Sequence, residues 1–344
     1  MIFRQLFDNV SSTYTYLLAS RKGGEALLID PVLENTGRYL KLLEELELRL
    51  VKVVDTHIHA DHVSAMGKLR DVTRCVTVMG EQSPSDVVSM RVSDNEKLSI
   101  EGLTLTALHT PGHTSESYSF LMEDRVFTGD TLLIRGTGRT DFQNGNPYEQ
   151  YHSLFERLLK LPENTHVYPG HDYKGDTVST IGEEKAFNPR LNVSSADEYA
   201  EIMNNLILPN PKMMDVAVPE NLRLGLRLAA QHRVHSIEVE EVLDMWPDVQ
   251  VQLIDIRETS ERRRDGVIPG SIHLPYGRFA SHCSEAGTLR SLSRNARLLI
   301  YCAVGERSTL AVEIADESGL ENISHMPGGF RAWKAAGGAV EKID

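Results

Sequence analysis

The stretch VDTHIHADHVSA, Val54 to Ala65, sets His57, His59, Asp61 and His62 on a short loop behind an apolar run. His113 follows in TPGHTSES, Asp130 ends RVFTGD, and His171 lies in YPGHDY. Pro-Gly pairs fix the backbone immediately before His113 and His171. Imidazole and carboxylate together suit zinc or non-haem iron, and the lack of cysteine here disfavours a structural zinc site. Ligand types alone leave open two metals for hydrolysis or one iron for oxygen chemistry. The other eight histidines of the thirteen are read as ordinary surface or core residues.

A second reactive position stands near the C-terminus. In LLIYCAVGERSTLAVEIA, Cys302 falls where a buried strand ends and a helix begins. Backbone N–H groups of Ala303 to Ser308 are expected to curl around the sulfur, and a helix N-terminus favours negative charge there. Both lower a thiol pKa and stabilise a thiolate or persulfide anion. Gly305 permits the tight loop and Arg307 adds a cation. Cys75 and Cys283 lie outside any such loop and read as structural.

These residues need elements to hold them. TYTYLLA (Thr13 to Ala19), EALLID (Glu25 to Asp30) and LVKVVD, which ends on the histidine cluster, read as strands. GRYLKLLEELE (Gly37 to Glu47) has leucines at helical spacing. Further strands are expected at Leu103 to His109, Ser117 to Met122, Arg125 to Thr128 and Thr165 to Tyr168, so that site residues follow strand ends. Composition changes across LPNPKMMDVAVPENLRLG (Leu208 to Gly225), which carries three prolines and little periodicity. The division expected is therefore 1–225, a linker over 226–236, and a second α/β domain over 237–344. In that domain strands VQLIDIR and ARLLIYC alternate with helices VEEVLDMW and ERSTLAVEIADESG.

At 344 residues the chain suits two domains. A net charge of −13 argues against a nucleic-acid partner and, more weakly, against anionic membranes. Arg4 and Asp8 interrupt the N-terminal apolar stretch, so it does not read as a signal peptide. No run approaches the roughly 18 apolar residues of a spanning helix. Three cysteines without paired spacing make a reducing cytoplasm the simplest location. Nothing in the composition opposes a homo-oligomer.

The HxHxDH motif with later His, Asp and His resembles the metallo-β-lactamase superfamily over about Met1 to Gly225. That resemblance implies an αββα sandwich with metals at its loop-bearing edge, commonly two metals that hydrolyse esters, thioesters or phosphodiesters. GDTLLIRGTGRTDFQNG (Gly129 to Gly145), STIGEEKAFNPRL (Ser179 to Leu191) and LPNPKMMDVAVPENLRLG are similar to its sulfur (persulfide) dioxygenase branch. The S-acylglutathione hydrolases lack the RTDFQ continuation and carry a helical C-terminal extension that is not evident here. The dioxygenase resemblance implies one Fe(II) per chain on His57, His113 and Asp130. His59, Asp61, His62 and His171 would then orient ligands and bound water, or hold a second metal. It implies glutathione persulfide and O2 as substrates and sulfite and glutathione as products. Arg139 and Tyr173 match the glutathione-binding positions, whereas Arg135 and Lys174 read as exposed charges.

LIDIRETSERRRDGVIPGSIHLP, CAVGERS and MPGGFRAW resemble a single rhodanese domain over Ser236 to Val340, a parallel α/β sheet with Cys302 at the position of the persulfide carrier. The whole chain is similar to a bacterial persulfide dioxygenase–rhodanese fusion. That implies sulfur transfer between thiosulfate and glutathione, in a direction the sequence does not set. Two other readings stand beside it: a two-zinc glutathione thioesterase with an appended rhodanese, and a sulfur-relay or sensing protein with a vestigial metal domain. The intact ligand set opposes the latter, and the acidic charge opposes a nuclease.

Overall fold

Strand β2 (Tyr14–Ala19) is buried at every position, as an apolar run covered on both faces must be. It lies in a six-stranded sheet of order β1-β2-β3-β4-β5-β6, with β1 at Ile2–Phe7, β3 at Glu25–Ile29, β4 at Arg49–Val54, β5 at Val76–Gly80 and β6 at Met90–Val92. β4 runs parallel to β3 and β5, so helices Thr36–Glu45 and Met66–Thr73 carry the crossovers. Tyr39 and Leu43, four residues apart, bury one face of the first helix.

This computed structural model describes residues 1–85, 88–142, 144–208, 213–223, 235–246 and 250–343. The chain divides into two compact units, one of Met1–Asp86 and Arg91–Leu224, the other of Gly225–Asp344 with Val87–Met90. Of the expected linker, residues 226–234 lie outside the described residues.

The second sheet of the first unit has order β12-β11-β10-β9-β8-β7. Its strands are β7 Lys97–Ile100, β8 Leu103–His109, β9 Tyr118–Leu121, β10 Arg125–Gly129, β11 His166–Pro169 and β12 Ser179–Thr180. Phe3 and Tyr16 of the first sheet meet Phe127 and Tyr168 of the second, with Tyr16–Phe127 and Phe3–Tyr168 centroids both 4.9 Å apart. These rings form the sandwich interior. Helices Pro147–His152 and Ala196–Asn204 belong to the far side of the second sheet, where Leu154, Leu158, Tyr199 and Met203 pack on Leu108, Val126 and Val167. The fold is the expected metallo-β-lactamase-like sandwich.

The stretch read as aperiodic, Leu208 to Gly225, contains helix Met214–Leu222 with Pro219 inside it. Its periodicity is weak because little of it is core: Ala217 and Asn221 are its buried residues.

In the second unit four parallel strands are ordered β14-β13-β15-β16: Ile272–His273, Val251–Asp255, Arg297–Tyr301 and Ile323–His325. Leu253, Leu299 and Tyr301 pack with Met326, Phe330 and Trp333 in its core. Helix Glu306–Glu317 follows β15 after the four-residue turn that carries Cys302. This is the expected parallel α/β domain. Among the described residues no helix is long and apolar enough to cross a membrane.

Candidate metal centre and sulfur-transfer loop

β4 ends at Val54 and delivers His57 directly into the site. Thr56 holds it there: the Thr56 N–H and Oγ1–H donate to the two oxygens of Asp30 at 2.7 and 2.9 Å. With its proton given to Asp30, Thr56 Oγ1 accepts from His57 Nδ1 at 2.9 Å. That bond fixes the tautomer and leaves Nε2 with its lone pair. Burial, with His59 and His113 beside it, holds His57 well below the ordinary histidine pKa, so it is neutral and basic at Nε2.

His113 is set by the same logic. Its Nδ1–H donates to the main-chain carbonyl of Arg139 at 2.7 Å, and Nε2 faces Asp130 Oδ2 at 3.7 Å. Gly112, with φ +134°, brings the chain in at a point where a Cβ would lie 2.2 Å from Gln150. Asp130 Oδ1 accepts from His171 Nδ1 at 2.7 Å, and Oδ2 faces His113. One donor atom from each of His57, His113 and Asp130 lies within 4.8 Å of the others. Two oriented imidazole lone pairs and a carboxylate oxygen fit a divalent metal that prefers nitrogen and oxygen ligands.

His171 occupies both ring nitrogens, since Nε2 lies 2.8 Å from Asp61 Oδ2. Burial acts against its charge, but the Asp130 and Asp61 carboxylates raise its pKa well above the ordinary value. Burial likewise opposes ionisation of Asp61, while His171 and His62 hold its carboxyl well below the usual range. His59, Asp61 and His62 form a second set with donors within 4.8 Å of one another. His59 Nε2 is 3.2 Å from Asp30 Oδ1, which against the effect of burial pushes it up to about 9. His59 Nδ1 and His62 Nε2 are buried without a hydrogen-bond partner.

A cleft of about 240 Å³ opens over the metal trio, lined by Leu133, Ile134, Phe142 and Leu208 as well as by Arg139, Tyr173, Lys174 and Arg190. Arg139 Nε and Nη2 both meet Asp141 at 2.5 Å, with Phe142 beneath the guanidinium at 4.4 Å. Tyr173 is 72% exposed and stacks parallel to His171 at 6.0 Å. Arg135 is paired with Glu184 rather than displayed to solvent.

Several supports carried no local signal. Asn221 donates to the carbonyls of His59 and His62 at 3.0 Å each and accepts from the Ser64 N–H at 2.8 Å, strapping the histidine loop. Thr13 Oγ1 touches Asp61 at 3.1 Å and His171 at 3.0 Å. Arg190 and Asp30 likewise carry no motif that marks them in the sequence.

In the second unit Cys302 is fully buried. Among the described residues Gly305 N–H is the backbone donor on its Sγ, at 3.1 Å, so the expected ring of amides from Ala303 to Ser308 reduces to this one hydrogen bond. Gly305 has φ +97° and caps helix Glu306–Glu317; a Cβ there would meet Gly328 N at 2.8 Å. Arg307 forks onto Glu261 at 2.6 and 2.7 Å, both buried. Glu261 closes a capping box with Glu258, a signal legible in ETSE. Cys75 and Cys283 are buried free thiols, and burial pushes Cys283 up to about 11.

The family model of the metallo-beta-lactamase superfamily matches residues 8–83 and 79–171, and that of the rhodanese-like domain matches residues 238–336. Persulfide dioxygenase ETHE1, mitochondrial, of Homo sapiens is 44% identical over 230 residues, 66% of this chain and 90% of its own length. The crystal structure of ETHE1 from Myxococcus xanthus superposes with TM-score 0.63 and 51% identity over 64% of this chain and 98% of that one. A metallo-beta-lactamase from Staphylococcus aureus, 21% identical with TM-score 0.60 over 95% of this chain and 98% of its own, shares the fold. With 90% of a 44% identical relative covered and a rhodanese-like match behind it, the chain belongs to the persulfide dioxygenase family of the metallo-beta-lactamase superfamily and carries a C-terminal rhodanese-like domain.

Proposed function

We propose that the first unit oxidises glutathione persulfide with O2 to sulfite and glutathione, using one Fe(II) held by His57, His113 and Asp130. The observation that supports this reading is the convergence of one donor atom from each of His57, His113 and Asp130 within 4.8 Å, with His171 lying between Asp130 and Asp61. The name persulfide dioxygenase, borne by the relative 44% identical to this chain, supports it. Iron bound there would supply the one-electron chemistry that lets O2 react with a persulfide sulfur. The chain's own residues do the rest. Thr56 and the Arg139 carbonyl orient the two imidazoles, His171 holds a proton at Nε2 against Asp61, and Leu133, Ile134 and Phe142 keep the cleft over the trio partly apolar.

For the second unit, Cys302 thiolate attacks the sulfane sulfur of thiosulfate. The S–S bond breaks, sulfite leaves with the electron pair, and a cysteine persulfide remains. Glutathione thiolate then takes the outer sulfur, giving glutathione persulfide and restoring Cys302. Gly305 N–H and the helix N-terminus favour the anionic sulfur at each stage.

A two-zinc glutathione thioesterase is the second reading, favoured by the unpartnered His59 Nδ1 and His62 Nε2 beside Asp61. The deciding experiment follows iron-loaded protein with glutathione persulfide under O2 and, separately, with an S-acylglutathione. Sulfite formed with matching O2 loss supports the dioxygenase; thioester hydrolysis without O2 uptake supports the rival.

A further inference from the structure

We propose that His325 serves the sulfur-transfer site as the base behind Cys302, taking the thiol proton through the hydroxyl of Ser308. This rests on the reading of Cys302 as the sulfur carrier.

His325 lies in SHMPGG, a context that reads as ordinary core. The fold brings it to the cysteine. β16 runs parallel to β15 with His325 opposite Ile300, two residues before Cys302. Ser308, in the first turn of helix Glu306–Glu317, stands between the two side chains. Its Oγ is 3.8 Å from Cys302 Sγ and 3.3 Å from His325 Nδ1. The turn that follows His325 pins the cysteine from its other side. Phe330 and Arg331 N–H donate to the carbonyls of Cys302 and Ala303 at 2.7 and 3.0 Å. Gly329, with φ +56°, lets that turn come so close that a Cβ would lie 2.4 Å from the Cys302 carbonyl oxygen. Sulfur, hydroxyl and imidazole are thus held in fixed sequence by one strand, one helix and one turn.

A thiol must lose its proton before it attacks, and a wholly buried one has no water at hand to take it. Cys302 and Ser308 have no exposed surface, whereas His325 keeps 6%. Among the described residues, the groups within hydrogen-bond reach of Sγ are Gly305 N–H and Ser308 Oγ. An amide N–H only donates, and Arg307 on the same turn is a permanent cation with its fork on Glu261, so neither takes a proton. The Ser308 hydroxyl both accepts and donates. It accepts from the thiol and turns its own hydrogen from the Gly305 carbonyl, 2.9 Å away, toward His325 Nδ1. The S–H bond breaks with its electron pair left on sulfur, Ser308 passes one hydrogen on as it receives another, and His325 becomes imidazolium. The Ser308 hydroxyl then donates to the thiolate, which attacks the sulfane sulfur of thiosulfate and expels sulfite with the electron pair. The imidazolium returns its proton to solvent.

The test is a rapid-quench burst of sulfite from thiosulfate, run on the reduced 344-residue chain without glutathione, so that each molecule loads Cys302 once. His325→Asn keeps a hydrogen-bonding atom where Nδ1 stands but takes no proton. It should slow loading about a hundredfold or more, as His325→Ala does, with the thiosulfate concentration for half-maximal rate unchanged. Ser308→Ala should slow loading as far, and Ser308→Thr should restore it. The double variant Ser308→Ala, His325→Asn should be no slower than either single one, as for members of one relay. Loading at the parent rate in His325→Asn would make His325 a spacer that orients Ser308 and overturn the proposal, as would losses that multiply in the double variant. Should the His325 variants fail to fold, the Ser308 pair decides, and equal rates in Ser308→Ala and Ser308→Thr overturn it. A burst that survives in Cys302→Ser would refute the carrier reading and the relay with it. Unslowed variants beside a burst that Cys302→Ser abolishes would strike the relay alone and leave the carrier reading standing.

Discussion

His171 Nδ1 lies 2.7 Å from Asp130 Oδ1, so one oxygen of the proposed ligand carboxylate is committed to a histidine and the other is left for a metal. His171 also ties Asp130 to Asp61 through Nε2 at 2.8 Å. Replacing His171 with Ala should free Asp130 to rotate and leave two carboxylates facing each other. Metal affinity is expected to fall about 10- to 100-fold, the usual cost of losing such an outer partner. Metal retained after dialysis against a graded chelator series measures it, and undiminished retention would show that Asp130 needs no such support.

Asn221 holds the histidine loop by three buried hydrogen bonds, two to carbonyls and one from an N–H. Asn221→Ala leaves those backbone groups buried and unpaired, at about 1–3 kcal/mol each before relaxation. A loss of about 2–4 kcal/mol is expected in the far-UV circular dichroism unfolding transition in urea. A shift under 0.5 kcal/mol would mean that water replaces the strap without cost.

The Arg307–Glu261 pair is buried on both sides. Glu261→Gln removes the anion and strands the guanidinium, which costs about 3–5 kcal/mol in such settings. Both tryptophans, Trp246 and Trp333, belong to the second unit, so tryptophan fluorescence follows its unfolding. An unchanged urea midpoint would show that Arg307 finds another partner.

Asp255 gives the same unit an acid limit. Burial works against its ionisation, but Arg257, bonded at 2.8 and 3.0 Å, holds its carboxyl below the usual value. The folded pKa lies below the unfolded one of about 3.9, so the unfolded chain binds more protons in acid. The pair's contribution is complete above about pH 4 and drains away as pH falls through the folded value. Tryptophan fluorescence should show stability falling below about pH 4, with a shallower slope in Asp255→Asn. Equal slopes in the two proteins would contradict this.

Cys302→Ser should abolish thiosulfate:glutathione sulfur transfer while persulfide oxidation by the first unit continues. A coupled assay of sulfite release from thiosulfate, run beside O2 uptake with glutathione persulfide, separates the two. Transfer that survives the substitution would remove Cys302 as the carrier.

Much of this architecture is legible from punctuation. His57, His113, Asp130 and His171 each follow an apolar strand, and the structure brings all four into one cluster with Asp61. Cys302 is visible for the same reason, at a strand end before a helix. What sequence hides is pairing over distance. Glu261 meets Arg307 and Asn221 meets His59 across 46 and 162 residues, and no local pattern encodes either contact. Arg139 lines the cleft and pairs with Asp141, two residues away in RTDFQ, a proximity that sequence displays without showing the geometry. Helix Met214–Leu222 is hidden because Pro219 and a mostly solvent-facing surface erase its period.

The central claim is one iron doing oxygen chemistry in the His57, His113 and Asp130 site. Its most direct test is metal analysis of anaerobically purified, iron-supplied protein, paired with an oxygen electrode and glutathione persulfide. The account predicts one iron per chain and O2 consumption that His113→Ala abolishes. Two zinc ions per chain with no O2 uptake would contradict it.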